Sequence, residues 1–145
     1  MITGIGHPGL VVKDIEESVK FYTEVMGLKE AFRMIEPDGS VGAIYLYIAP
    51  SQFIEIFPRP ETAQDPDVPP YKAGKAHMCY EISDAEATIA AMRAKGAVID
   101  IDLKKGKSKT NLFFTHDPDG NRIELMELTP ESLQWQANEK FANQK

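Results

Sequence analysis

Four residues in this chain have the types and the spacing to do chemistry together: His7, Glu55, His77 and Glu124. Glu55 sits in the middle of "QFIEIF" and Glu124 in the middle of "NRIELM", two stretches that otherwise read as apolar β-strands. An ionised carboxylate on a half-buried strand is costly unless it is paired or bound to a cation. Neutral imidazole and carboxylate are also the mixed nitrogen and oxygen ligands that hold divalent metals and leave positions open for water or substrate. The pattern occurs twice. The step from His7 to Asp14 equals that from His77 to Asp84, while Gly27 and Gly96, and Glu55 and Glu124, recur to within one position. Repetition of both residue types at matching places favours one divalent-metal site built by His7, Glu55, His77 and Glu124 over four unrelated surface residues.

The elements that must position these residues also repeat. Units 4–60 and 74–128 each open with a strand, "IGHPGLVV" and "KAHMCYEI". Capping boxes are expected at "DIEE" (Asp14 to Glu17) and "SDAE" (Ser83 to Glu86). Amphipathic helices follow, with Ile15, Val19, Tyr22 and Met26 in the first and Ala85, Ile89 and Met92 in the second at helical spacing. Gly27 and Gly96 stand where a left-handed C-cap is expected. Three strands then complete each unit: 28–36, 41–49 and 52–58, then 97–103, 110–116 and 121–128, with "EPDGS", "KKGKS" and "DPDGN" as turns. The expected fold is therefore α+β: two βαβββ modules in one domain over 1–128, with a proline-rich linker at 60–73. A tail at 129–145 is expected to be helical, capped by Thr129 with Pro130 at its first position, and to bury Leu133, Trp135 and Phe141.

Composition narrows the function classes. The chain has 145 residues, 43% of them hydrophobic, enough for a packed core. A net charge of -6 gives nucleic acid no basic surface to bind. No stretch reads as a signal peptide or as a membrane span, and Cys79 is the single cysteine, so a cytoplasmic location and no membrane association are expected. Cys79, inside "HMCYEI", reads as a core thiol.

"GIGHPGLVVKDIEESVKFYTEVMGL" together with "HDPDGNRIELMEL" resembles the vicinal oxygen chelate superfamily over about residues 3–128. That group includes glyoxalase I, epimerases, ring-cleaving dioxygenases and antibiotic-resistance proteins. The order His, Glu, His, Glu is similar to that of small glyoxalase I enzymes (lactoylglutathione lyases). The resemblance implies one divalent transition metal per site (Ni, Zn, Co, Mn or Fe) and a homodimer with sites shared between chains. It implies a small-molecule substrate and proton transfer through a metal-bound enediolate, with Glu124 as base and Glu55 as its partner. An epimerase of the same fold and a non-catalytic binding protein stay open as alternatives. One position departs from the pattern. Glutathione-dependent relatives carry an arginine four residues after the first histidine, and Val11 stands there, so an α-hydroxycarbonyl, thiohemiacetal-like or sugar-like substrate is open. Lys104, Lys105, Lys107, Lys109, Arg33 and Arg59 are the other cations near the strands. His116, before "DPDGN", reads as a strand-end histidine, and Tyr45, Tyr47 and Phe57 as residues that could line a pocket.

Overall fold

In a computed structural model the described residues are 6–59 and 77–142. The chain divides into two compact units, Met1–Pro69 and Pro70–Lys145. The expected linker at 60–73 lies outside the described residues.

Unit 1 runs β1 (Gly9–Val12), α1 (Ile15–Lys20, continued by a wider π-type turn over Phe21–Val25), β2 (Lys29–Ile35), β3 (Val41–Ala49) and β4 (Gln52–Pro58). Unit 2 repeats the order with β5 (Met78–Glu81), α2 (Ala85–Ala94), β6 (Ile99–Lys105), β7 (Asn111–His116) and β8 (Arg122–Glu127). Within unit 1 the strand order is β1-β4-β3-β2, and within unit 2 it is β5-β8-β7-β6. The first and last strands of each unit pair in parallel, and the other pairs are antiparallel. Both βαβββ modules form as expected, and the parallel pairing sets the start of each module beside the strand that carries its glutamate.

Alternation decides which face is core. In β4, Ile54 and Ile56 are fully buried, while Phe53, Glu55 and Phe57 lie on the opposite, half-open face. Leu10, Val12, Ile44 and Leu46 join the buried face, covered by Val19 and Tyr22 of the helical segment. In unit 2, Phe113, Ile123 and Leu125 are covered by Ala85, Ile89 and Met92 of α2. Truncating a residue such as Leu46 to alanine leaves a cavity costing about 2–5 kcal/mol. All three predicted core positions of α2 are buried.

The helix starts are set by aspartates at equivalent places. Asp14 accepts from the Glu17 N–H at 2.9 Å, and Asp84 from the Ala87 N–H at 2.9 Å. The second cap therefore falls on Asp84 rather than Ser83, because Asp84 has the extended backbone that points its carboxylate at the open helix end. Gly27 and Gly96 take φ of 79° and 85°, as a left-handed helix end requires.

Two other expectations are corrected. The tail helix α3 spans Leu133–Ala142, and Thr129 and Pro130 lie in a turn before it. Buried Ser132 stands at its start, its hydroxyl accepting from the Thr129 N–H at 2.9 Å and its carbonyl from the Gln136 N–H. Leu133, Trp135 and Phe141 are exposed rather than buried. Cys79 is also exposed, not core: alternation along β5 turns Met78 and Tyr80 one way and Cys79 the other, beside its register partner Glu124.

Candidate metal-binding and catalytic site

Glu124 owes its place to the turn that precedes it. Asp117, fully buried at the start of "DPDGN", accepts from the backbone N–H groups of Asp119 (3.0 Å) and Asn121 (2.8 Å) and from the Asn121 side-chain amide (2.9 Å). Gly120 takes φ of 79°, where a Cβ would be strained. With this turn closed, β8 runs antiparallel to β7, and Glu124 falls opposite Phe114 and beside Cys79. In unit 1 the matching connection is a tight turn through Pro50 and Ser51, and Glu55 falls opposite Tyr45 and beside Gly9.

Each glutamate meets the histidine of its own unit. His7 Nε2 stands 3.1 Å from Glu55 Oε2, and His77 Nε2 stands 2.9 Å from Glu124 Oε2. The carboxylates are only 14% and 13% exposed, the imidazoles 39% and 38%. So the structure brings together His7 with Glu55 and His77 with Glu124, and within either unit no group of three His, Cys, Asp or Glu gathers among the described residues. The donor chemistry fits half of a divalent-cation site in each unit: one borderline nitrogen and one hard oxygen facing each other, with a carboxylate largely withdrawn from water.

The two pairs differ in what else touches them. The Tyr45 hydroxyl donates to Glu55 Oε1 at 2.6 Å, so both oxygens of Glu55 are engaged. The carboxylate holds the Tyr45 phenol above its ordinary range, through the hydrogen bond first, with desolvation and the negative charge adding to it. Tyr45 also meets His7 edge-on at 5.3 Å and stacks with Phe32 at 4.5 Å. Glu124 has Phe114 in the same register place, which offers no hydroxyl, and among the described residues nothing donates to its Oε1. Local desolvation, with Glu124 and Glu81 nearby, pushes the Cys79 thiol up to about 12, so it stays protonated beside Glu124.

The other sequence candidates sort quickly. His116 Nδ1 lies 2.9 Å from both oxygens of Asp100 and so pairs away from the glutamate. Arg33 is taken by Glu16 and Glu30, and Lys105 by Glu131; the lysine run spans the end of β6 and its turn into β7. Tyr47 packs edge-on against Phe53, and Phe57 shares the Glu55 face. Val11 lies on that same face and is exposed. Sequence reasoning singled out Tyr45 but not its bond to Glu55, and it missed Arg122 and Phe114. The signal for Arg122 was present, since it precedes Glu124 by two in a strand and must share its face.

The sequence profile described as "Glyoxalase/Bleomycin resistance protein/Dioxygenase superfamily" matches residues 4–125. The chain belongs to this superfamily. It is 30% identical over 125 residues to the lactoylglutathione lyase of Haemophilus influenzae, covering 83% of this chain and 90% of that one. It is 30% identical over 127 residues to a probable chloroplastic lactoylglutathione lyase of Arabidopsis thaliana, covering 84% of this chain. The match spans 35% of that relative's length, and 46% of a lactoylglutathione lyase from Schizosaccharomyces pombe. A solved glyoxalase family protein from Enterococcus faecalis superposes with a TM-score of 0.71 at 24% identity, covering 86% of this chain and 97% of that one, which speaks to the fold. Among the described residues no helix is long and apolar enough to cross a membrane.

Proposed function

We propose that the chain is a divalent-metal-dependent lyase or isomerase of glyoxalase I type, acting on a small α-hydroxycarbonyl or thiohemiacetal-like substrate. The observation that carries this reading is the meeting of an imidazole nitrogen and a carboxylate oxygen once in each unit, at 3.1 and 2.9 Å. His7, Glu55, His77 and Glu124 together would hold Ni, Zn, Co, Mn or Fe. In a homodimer, the first unit of one chain and the second unit of its partner would each supply one pair. A bound cation would polarise a substrate carbonyl and make the adjacent C–H more acidic. Glu124, with one oxygen unengaged, takes that proton and returns it to the neighbouring carbon. Glu55, tied by Tyr45 and His7, acts as its fixed partner. Relatives named lactoylglutathione lyase support the lyase class. Val11 offers no charge to a glutathione carboxylate.

The test is solvent deuterium exchange at the carbon beside the carbonyl, measured by NMR over a panel of α-hydroxycarbonyls and hemithioacetals with metal-loaded protein. Exchange that requires the metal and disappears in Glu124→Gln is expected. Exchange that survives Glu124→Gln would contradict the assignment of the base.

A further inference from the structure

The face of unit 2 that carries His77 and Glu124 also carries a cation with no assigned task. Arg122 and Glu124 leave β8 on the same side, two residues apart, or about 6.6 Å along the strand. The Arg122 guanidinium lies over the Phe114 ring, 4.1 Å from its centroid. That ring meets His77 edge-on at 5.8 Å and is the register partner of Glu124. Guanidinium, ring, imidazole and carboxylate thus form one continuous patch.

Three other cations are already held by carboxylates. Arg33 is held by Glu16 and Glu30, Arg93 by Asp102 at 2.8 Å, and Lys105 by Glu131. Among the described residues no carboxylate pairs with Arg122, which is exposed. A guanidinium resting on an aromatic face is restrained in direction while its edge N–H groups stay free to donate. Its fork is the geometry that takes a carboxylate or phosphate by two parallel hydrogen bonds. In unit 1 the equivalent position, two before Glu55, is Phe53, so the feature belongs to one face and not to the repeated scaffold.

We infer that Arg122 binds an anionic group, a carboxylate or a phosphate, on a small molecule whose vicinal oxygens reach the His77–Glu124 pair. This rests on reading that pair as half of a metal centre. The substrate is then an α-hydroxycarbonyl with a charged group a short arm away from the chelating oxygens.

The test is isothermal titration calorimetry on nickel-loaded protein with two probes, malate and α-hydroxybutyrate. They share the same chelating hydroxyacid end and differ only in a carboxylate against a methyl. Wild type is expected to bind both, malate more tightly. Arg122→Met should reduce the malate preference by about tenfold, as a lost charge-assisted hydrogen bond does, and leave α-hydroxybutyrate binding unchanged. Arg122→Gln, which keeps the polar length, provides the same readout if the Met variant does not fold. An undiminished malate preference in the variant that folds would overturn the inference. So would equal binding of the two probes by wild type. Binding of neither probe by nickel-loaded wild type would overturn it as well, whereas wild type that takes up no nickel would fail the metal-centre reading itself.

Discussion

In unit 1 the residue across the sheet from the glutamate is Tyr45, and in unit 2 it is Phe114. A hydroxyl present in one unit and absent in the other separates the two environments. Glu55 is engaged at both oxygens, by Tyr45 at 2.6 Å and His7 at 3.1 Å; Glu124 is engaged at one, by His77 at 2.9 Å. The position two before each glutamate differs as well, Phe53 in one unit and Arg122 in the other. Unit 1 thereby presents a carboxylate among stacked aromatic rings, and unit 2 a carboxylate beside a cation. A duplicated βαβββ module sets the places for two matching groups, and cross-strand neighbours then make those groups unequal. Ligand count alone does not assign roles: the less restrained carboxylate is the better candidate to move a proton.

This difference can be broken directly. Glu124→Gln should have the largest effect, about a thousandfold loss of metal-dependent proton exchange, within the usual range for a lost general base. Glu55→Gln should cost clearly less in exchange, at matched metal occupancy. Equal losses would end the distinction between the two glutamates. Phe114→Tyr gives Glu124 the restraint that Glu55 has and should lower exchange about tenfold, the scale of one hydrogen bond to a charged group. Tyr45→Phe removes the restraint from Glu55 and should lower exchange only a few-fold by the same reasoning. If Phe114→Tyr is silent while Tyr45→Phe is severe, the roles are reversed.

Smaller effects are expected at the turns and at Tyr45. Asp117→Ala strips three hydrogen-bond acceptances from a buried turn in unit 2 and should cost about 2–4 kcal/mol in urea unfolding. The matching turn in unit 1 contains Ser51 at φ 61°, and Ser51→Gly should be neutral or stabilise by less than about 1 kcal/mol. The smallest effect is spectroscopic. In metal-free protein the Tyr45 phenol should ionise above the ordinary tyrosine range, because ionisation gives up its hydrogen bond to Glu55 and also sets a phenolate against that carboxylate. Glu55→Gln removes that charge, so the ionisation should fall back toward the ordinary range in ultraviolet difference titrations referenced to Tyr45→Phe.

Much of the scaffold was legible because it rests on short-range signals. Asp14, Gly27 and Gly96 announce helix ends by backbone chemistry, and the alternation in "FIEIF" fixes which face Glu55 takes. The repeat put one histidine and one glutamate in each unit, and the parallel pairing of first and last strands, which the sequence did not show, sets them side by side. What was missed depended on neighbours from other strands. Cys79 sits in an apolar run, yet its register with Glu124 places it on the open face. Ser132 starts α3 where the Leu133 N–H donates to the Ser108 carbonyl in the turn between β6 and β7, a contact invisible in "TPESL". The Tyr45–Glu55 bond and the Arg122–Phe114 stack join residues ten and eight apart in sequence whose meeting needs the register of a hairpin.

Elemental analysis shows whether the two His–Glu pairs hold a cation. Protein purified without a metal-affinity tag should be compared with a His77→Ala/Glu124→Ala double variant. About one transition-metal ion per chain is expected in wild type, with a clear loss in the variant. Wild type that stays metal-free after incubation with Ni, Zn, Co and Mn would contradict cation binding by these pairs.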